Sequence, residues 1–350
     1  MPAAAYVRWF ADIGLSDRPS VGGKGASLGE LERAGIRVPP GFVITTHAFE
    51  HCLEALERQA PVRDRIAQLD VENLPALDAH AQALRARFEG VALPPDLLDA
   101  IAQAHAALCG LQPETAVAVR SSATTEDAAD ASFAGLQDTY LWIKGAGETA
   151  RMIRHCWASL YSTPSVSYRR RRGVPEQGVA MGVVVQRMVD ARCAGVMFTR
   201  SPTSGDRSVI TIEGAWGLGS AVVSGEVTPD RWVLGKITGE ISIRTISDKR
   251  SQQLPDPQGG IRTIPVPDEL RNTACLTDAQ LQELRQIARR IERHYGSAQD
   301  IEWAIDRESD EISLLQSRPE TVWSAREARP VARVAGNPLE HVMSIFGGRS

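Results

Sequence analysis

The sequence predicts a mixed α/β fold in which helices cover sheets. Residues 62–110 have the polar and apolar spacing of helices, and Pro94 and Pro95 separate two of them. Short apolar runs typical of strands follow, including VAMGVVVQRMV and CAGVMFTRSP between Val179 and Pro202. A chain of 350 residues is long enough for two or three domains or subdomains, each with its own core.

The composition is ordinary for a globular protein, with 43% hydrophobic and 23% charged residues. The net charge of -4 gives no electrostatic case for nucleic acid or an anionic membrane as the main partner. No apolar stretch approaches the ~20 residues of a membrane span, and the N-terminus lacks the pattern of a signal peptide. The five cysteines form no CxxC pair, which favours reduced thiols and a cytoplasmic protein.

The first half of the chain alternates turns, strands and helices. Residues 20–35 (SVGGKGASLGELERAG) predict a glycine-rich turn that enters a helix, and a second helix is expected from about Thr46, after a proline-bounded strand. The segment TAVAVR predicts a strand that ends at Arg120. The loop of small residues 121–138 is long enough to act as a lid, and a strand is expected again from Thr139 to Ile143.

The second half contains the clearest helix pattern, LTDAQLQELRQIARRIERHYG. Thr277 is the expected N-cap, Gln280 completes a capping box and Gly296 suits the C-terminal stop. The basic run Arg169–Arg172 is expected to be a solvated helix end.

A hairpin with an acidic turn is predicted by DIEWAIDRESDEISLLQSRPE, residues 300–320. Alternation separates the faces of its first strand, with apolar residues on one face and polar residues or alanine on the other: Ile301, Trp303 and Ile305 against Asp300, Glu302 and Ala304. The same rule applied to the second strand gives one shared face for Gln316, Arg318, Ile312 and Leu314. A carboxylate, an amide and a guanidinium in so apolar a hairpin fit either a solvated face or a site for a metal ion and phosphates.

Two cations are candidates for binding phosphates. Lys24 lies in GGKG, which is not a Walker A loop, but a lysine at a helix N-terminus can neutralise a phosphate. Arg120 follows four small apolar residues, and its planar fork suits phosphate oxygens. Hydroxyls and backbone N–H groups of Ser132 to Gly135 could add to such a site. A solvated helix-entry turn at Lys24 and a surface turn at Arg120 are the open alternatives.

A nucleoside site is suggested by VVVQRMVD, where the apolar strand is interrupted at Gln186 and resumes at Met188 and Val189. Backbone groups of such a hinge could read an adenine edge while Met188 packs on the ring. Glu213, expected at a strand end before a glycine-rich bend, could hold ribose hydroxyls. An ordinary strand end remains the alternative for the hinge.

Taken together and in order, several segments resemble the nucleotide-binding portion of the phosphoenolpyruvate synthase family, which includes pyruvate phosphate dikinase and rifampin phosphotransferase. The resemblance runs from about Val21 to Pro319 and rests on VGGKGASLGEL, VPPGFVITT, AVRSSATTEDAADASFAGLQDTYL, VVVQRMVDARCAGVMFTRSP, EGAWGLGSAVVSGEVTPD and DIEWAID…LLQSRP. It implies an ATP-grasp fold with subdomains at 1–190 and 191–322, which clamp ATP between their sheets, and a tail at 323–350.

The resemblance also implies a set of site residues and two cofactors, ATP and Mg²⁺, with Mn²⁺ as a possible substitute. Glu302 and Gln316 would ligate the metal. The remaining residues would bind the nucleotide or its phosphates, with Lys24, Arg120 and Arg318 acting on the transferring groups: Lys24, Arg120, Ser132, Gly135, Thr139, Gln186, Met188, Val189, Glu213 and Arg318.

The most important departure from the family is that the sequence contains no Thr-Ser-His type motif after a glycine-rich turn, and the large barrel that binds pyruvate in the synthases is also not recognised in it. Family enzymes pass the phosphoryl group to that histidine, on a swivelling domain. Within the family the chain most resembles the smaller, ATP-binding subunit of phenylphosphate synthase, which implies a larger partner subunit with the histidine and phenol as acceptor. An ATP-binding half of a phosphoenolpyruvate synthase or an antibiotic phosphotransferase, a non-catalytic nucleotide-binding regulator, and an ATP-grasp ligase are the alternatives.

Overall fold

A computed structural model of the chain divides it into two compact units, Met1–Pro319 and Glu320–Ser350. The structure describes residues 5–112, 115–124, 127–128, 131–132 and 138–324, with only the backbone at 127–128 and 131–132. In the second unit, the Glu320 carboxylate accepts hydrogen bonds from the backbone N–H groups of Trp323 and Ser324, at 2.7 and 3.2 Å. None of the helices in the described ranges combines the length and apolarity that a membrane crossing requires.

Helices make up most of the first half and one long element of the second. The α-helices are α1 (Arg18–Arg33), α2 (Thr46–Glu57), α3 (Arg63–Ala67), α4 (Leu74–Gly90), α5 (Pro95–Cys109), α6 (Ala146–Ser159), α7 (Thr163–Arg171), α8 (Ser220–Val223), α9 (Asp268–Arg271) and α10 (Asp278–Tyr295). The predicted helices in 62–110, the proline break before α5 and the start of α2 at Thr46 are therefore confirmed.

The strands form two large sheets and two small hairpins. They are β1 (Val7–Trp9), β2 (Gly41–Ile44), β3 (Val117–Ala123), β4 (Asp127–Ala128), β5 (Ala131–Ser132), β6 (Thr139–Ile143), β7 (Met181–Arg187), β8 (Ala191–Phe198), β9 (Val209–Trp216), β10 (Asp230–Gly235), β11 (Ile241–Thr245), β12 (Ser251–Pro255), β13 (Ile261–Pro265), β14 (Gln299–Asp306) and β15 (Ile312–Pro319). The five-stranded N-terminal sheet has the order β1-β2-β7-β3-β6, and the six-stranded C-terminal sheet has the order β11-β10-β9-β8-β14-β15.

The N-terminal sheet is antiparallel and covered on both faces. On one face, Phe42 and Val185 pack with helical residues such as Trp157 in the main core. On the other face, Val43 and Val184 pack against α1. Burial on both faces explains why β7 begins with five residues without a polar side chain instead of alternating, and why every residue of β3 is buried.

The C-terminal sheet is antiparallel, and its apolar face packs on α10. Leu281 and Leu284 of that helix lie in one core with Trp303 of β14. The predicted capping box is confirmed: the Thr277 hydroxyl accepts from the N–H of Gln280 at 3.3 Å, and the Gln280 side chain accepts from the N–H of Thr277 at 3.0 Å. Gly296 ends the helix in the left-handed conformation, as expected.

A β-bulge changes the second strand of the hairpin. Glu302 pairs with Gln316, whereas the next pair is Trp303 with Leu314, so Leu315 is an extra residue in β15. Gln316 therefore shares the face of Glu302, and Leu314 faces the core with Trp303. The predicted common face of Gln316, Arg318, Ile312 and Leu314 is wrong, because alternation along one strand does not reveal an inserted residue.

Two further sequence predictions need correction. Strand β3 continues three residues beyond Arg120, to Ala123, since its end pairs with Met181 of β7. The basic run is not wholly solvated, because Arg169 is fully buried and its guanidinium pairs with Glu176 at 3.1 Å. A run of four arginines does not by itself show which of them is buried, because the burial of Arg169 depends on its ion pair with Glu176.

The extension of β3 anchors the glycine-rich turn of α1. The Ser122 hydroxyl accepts from the N–H of Gly25 at 3.0 Å and donates to the carbonyl of Val21 at 2.8 Å. Gly22, with φ of 74°, kinks α1 at this contact. A Cβ atom at Gly22 would lie 1.9 Å from the carbonyl oxygen of Ser122. The turn that carries Lys24 thus depends on close contact between two backbones.

We expect Gly22→Ala to lower the free energy of unfolding by about 2–4 kcal/mol, because the added methyl group both clashes with β3 and strains a positive φ. Gly147→Ala in α6 is the matched control, since nothing lies within 4 Å of a Cβ atom there. Urea unfolding followed by circular dichroism measures both variants. Equal unfolding midpoints for the two variants would contradict the proposed close contact.

Candidate functional site

A cavity of about 350 Å³ lies between the two large sheets. Strands β3, β6 and β7 supply one wall, and β8, β14, β15 and the segment around α8 supply the other. Its lining residues are Ala118, Arg120, Thr139, Leu141, Gln186, Arg187, Met188, Val189, Ala191, Ala194, Gly195, Leu218, Gly219, Ser220, Val223, Ser224, Glu302, Trp303, Ala304 and Leu315.

The polar face of the C-terminal sheet is set by strand register. Glu213, Val196, Glu302 and Gln316 are successive cross-strand partners on β9, β8, β14 and β15. Directly paired residues point to the same side of a sheet. Since Trp303, the next residue after Glu302, faces α10, this row lies on the face opposite to the helix. The bulge at Leu315 is what places the Gln316 amide beside the Glu302 carboxylate.

Arg120 joins the two sheets at this row. Its guanidinium donates to Glu302 Oε2 at 3.0 Å, to Gln316 Oε1 at 2.7 Å and to the carbonyl of Leu315 at 2.7 Å. The residue is 8% exposed, so these charged groups interact in a partly desolvated environment. A cation, a carboxylate and an amide oxygen, predicted separately from segments that are 182 residues apart, therefore meet at one edge of the cavity.

The donor set at this edge fits a hard cation. Mg²⁺ is usually held by one or two protein oxygens together with substrate phosphates and water. Glu302 Oε2 and Gln316 Oε1 are such oxygens, and both already bind a cationic group. Within the described ranges, no group of three or more histidine, cysteine, aspartate or glutamate side chains forms a metal cluster. The two oxygens suit a metal that a nucleotide brings with it.

The predicted hinge residues also line the cavity. Gln186 is buried, and its side-chain N–H donates to the carbonyl of Pro39 at 3.2 Å. The backbone N–H of Met188 donates to the carbonyl of Ala116 at 2.9 Å, which fixes the hinge against the start of β3. Met188 and Val189 pack in an apolar cluster that suits a planar base: Ala191, Ala194, Leu218, Ala304, Trp142, Met188, Val189 and Leu315. Thr139 also lines the cavity.

Other predicted residues lie off the cavity lining. Arg318 is partly exposed, and its side chain pairs with Asp300 at 3.4 Å, on the same face as Glu302. Lys24 is half-buried on α1. Glu213 is in the middle of β9, not at its end, and its carboxylate is 3.7 Å from Arg231. Half of the predicted lid (125–126, 129–130 and 133–137, which include Gly135) and the Ser132 side chain lie outside the described residues.

The sequence reasoning missed the wall formed by Leu218, Gly219 and Ser220. The signal is the glycine-rich bend GLGS, residues 217–220, which follows Glu213 in the sequence. Glycine-rich bends allow close approach of a ligand to the backbone, and the residues immediately after them are then the candidates.

Comparisons with known proteins identify the family of this chain. Residues 18–336 match the family model described as pyruvate phosphate dikinase, AMP/ATP-binding domain. A probable phosphoenolpyruvate synthase of Methanocaldococcus jannaschii is 40% identical over 90% of this chain and 27% of its own length. A rifampicin phosphotransferase of Streptomyces sp is 44% identical over 89% of this chain and 35% of its own length.

A phosphoenolpyruvate synthase of Pyrococcus furiosus is 36% identical over 91% of this chain and 44% of its own length. The chain thus spans less than half the length of these relatives. D-alanyl-alanine synthetase A from Vibrio cholerae covers 69% of this chain, and the chain covers 54% of it, at 12% identity with a TM-score of 0.25, too low for any conclusion. The family match over residues 18–336 establishes that this chain belongs to the pyruvate phosphate dikinase AMP/ATP-binding domain family.

Proposed function

We propose that this chain is the ATP-binding part of an AMP-forming, dikinase-type phosphotransferase. The observation that carries the proposal is the meeting of Arg120, Glu302 and Gln316 at a cavity that is also lined by an apolar cluster. The apolar cluster suits a purine base, and the group of Arg120, Glu302 and Gln316 suits a triphosphate with its metal. We further propose that 1–190 and 191–322 are the two subdomains of the ATP-grasp fold, since each supplies one of the two sheets.

Each residue then has a distinct task. Arg120 moves its guanidinium from Glu302 and Gln316 to the phosphate oxygens when the nucleotide enters, because phosphates are the stronger partner for its planar fork. Lys24 and Arg318 approach the phosphates from α1 and β15 and stabilise the charge on the transferring group. Thr139 and the backbone of the hinge orient the nucleotide.

Glu302 and Gln316 would hold Mg²⁺, or Mn²⁺ in its place. The bound ion would neutralise negative charge on the phosphates of ATP. A carboxylate and a neutral amide give the site a single negative charge, so the metal retains its attraction for phosphate oxygens. Without nucleotide the Glu302 carboxylate pairs with Arg120, and with the nucleotide bound it would pair with the metal. The carboxylate therefore has a cationic partner in both states.

The phosphoryl acceptor in this proposal is a histidine on a partner subunit, which also carries the final acceptor site. No histidine is among the residues that line the described cavity. Transfer of the β,γ-phosphates of ATP to that histidine would release AMP, and loss of inorganic phosphate would leave a phosphohistidine. The phosphohistidine would then phosphorylate phenol, as in phenylphosphate synthase; pyruvate or an antibiotic is the alternative acceptor. For the location of the protein, all five cysteines are buried free thiols, which suits a reducing, cytoplasmic compartment. Burial also raises the pKa of the Cys52 thiol to about 12, so this thiol is unreactive.

The test uses ATP labelled in its β- and γ-phosphates. We expect the purified chain with Mg²⁺ to bind ATP and to release AMP only after a histidine-bearing partner is added, because no histidine lines the cavity in the described part of the chain. Phenol, pyruvate and rifampicin are then compared as final acceptors. AMP release by the chain alone, or stable label on one of its own histidines, would contradict the partner requirement.

A non-catalytic nucleotide-binding regulator is the alternative from another class. Binding alone would not require both metal ligands and Arg120 at one edge. The two readings separate in the same experiment, because a regulator would bind ATP and never form AMP with any partner.

A further inference from the structure

A chain of three side chains lies behind the cavity wall at Ser220. The Ser220 hydroxyl donates to Gln253 Oε1, and Gln253 Nε2 donates to Glu226 Oε2 at 3.0 Å. Ser220 lines the cavity, whereas Gln253 belongs to β12 and is only 8% exposed. These two hydrogen bonds thus connect the cavity wall to the exposed carboxylate of Glu226.

Gln253 also fixes the backbone of the same wall. Its carbonyl accepts from the N–H of Leu218 at 2.9 Å, and its strand forms an isolated bridge to Gly217. Gly217 has φ of 77°, and a Cβ atom there would lie 2.4 Å from the Gln253 carbonyl oxygen. One residue of a separate hairpin therefore holds both the backbone bend and the hydroxyl that follows it.

The direction of these hydrogen bonds follows from their chemistry. A carboxylate only accepts, so Glu226 draws the NH₂ group of Gln253 towards itself and leaves the Gln253 oxygen facing Ser220. The single hydroxyl proton of Ser220 is used on that oxygen. The lone pairs of Ser220 Oγ are then available, and the hydroxyl can act towards a ligand as an acceptor.

ATP has three good donors for such an acceptor: the adenine amino group and the two ribose hydroxyls. The apolar cluster at Met188, Val189 and Leu218 suits the base. We propose, building on the function proposed above, that Ser220 accepts a hydrogen bond from a ribose hydroxyl, and that Gln253 is the positioning residue that sets its polarity.

The first test measures nucleotide affinity by calorimetry. The 2′-deoxy and 3′-deoxy analogues of ATP each lack one ribose hydroxyl. We expect the wild-type chain to bind ATP about fivefold tighter than one of these two analogues, the one without the hydroxyl that Ser220 accepts from, which is the effect of one hydrogen bond. Ser220→Ala should bind ATP and that analogue equally, because the acceptor is gone. Ser242→Ala, whose hydroxyl bonds to the carbonyl of Val233 on β10, is the control that should keep the discrimination.

The second test exchanges the amide and the acid. Gln253→Glu places two carboxylates together and should weaken ATP binding at least as much as Ser220→Ala. Glu226→Gln retains an acceptor for Gln253 and should bind ATP almost normally. The double variant Gln253→Glu with Glu226→Gln reverses the donor and acceptor, so ATP affinity and ribose discrimination should return to within about twofold of wild type.

Three outcomes would overturn the inference: ribose discrimination that persists in Ser220→Ala, a Gln253→Glu variant with wild-type discrimination, or a double variant no better than Gln253→Glu. A purely structural role would change the thermal unfolding of the variants and leave the ratio of ATP to deoxy-ATP affinity unchanged. If the wild-type chain discriminated against purine riboside triphosphate, which lacks the adenine amino group, and not against the deoxy analogues, Ser220 would be assigned to the amino group instead of the ribose. Failure of the wild-type chain to bind ATP would reject the proposed function itself.

Discussion

Glu302→Ala should lower the rate of AMP formation in the complete system by about a thousandfold. The substitution removes the only charged group of the proposed metal pair, Glu302 and Gln316, and losses of transition-state charge stabilisation reach roughly 10²–10³ per group. Gln316→Ala, which removes the neutral partner on the same row, should have a similar effect. Initial rates of AMP release with saturating ATP, Mg²⁺ and partner measure both variants.

Glu308→Ala is the matched control, since Glu308 is an exposed acid in the turn of the same hairpin. It removes the same charge and should leave the rate unchanged. Circular dichroism establishes that each variant is folded, which is expected because Glu302 faces the cavity and not the core. Near-normal turnover by folded Glu302→Ala would show that this carboxylate does not hold the metal.

Lys249→Met should destabilise the protein by about 3–5 kcal/mol, because it leaves a buried carboxylate without its counter-ion. Lys249 and Asp230 are both completely buried, with Nζ and Oδ1 2.6 Å apart. The Asp230 carboxylate also accepts from the N–H groups of Ser247 and Cys275, at 2.9 and 3.0 Å. It therefore joins β10 to the segments on either side of β12 and β13. Urea unfolding at neutral pH gives the free energy.

Arg250→Met is the control for this pair. Arg250 is the next residue along the chain, and its ion pair with Asp248 is largely exposed. Solvent screens such a pair, so the urea midpoint of the control should match that of the wild type. The double variant Asp230→Asn with Lys249→Met, which no longer buries a charge, should recover part of the loss. Equal midpoints for Lys249→Met and Arg250→Met would contradict a structural role for the buried pair.

The sequence by itself determined the elements whose signals are local. The capping box of α10, the glycine that ends it, the hairpin and the apolar face of β14 all follow from neighbouring residues, and all are present. The residues Arg120, Gln186, Met188, Val189 and Glu302 were identified from segments that resemble a known family, and they line one cavity. Local pattern and family motif were sufficient for these because each motif is contained within a few turns or one strand.

Only the tertiary structure decided how these segments meet. The bulge at Leu315 depends on pairing with a second strand, and it alone turns Gln316 towards Glu302. Arg120 reaches that pair across 182 residues of sequence, and Gln253 reaches Ser220 from a separate hairpin. The burial of Asp230 and Lys249 likewise requires both partners in place. Alternation and spacing describe one segment at a time, whereas register, bulges and buried pairs are settled by the free energy of contacts between segments.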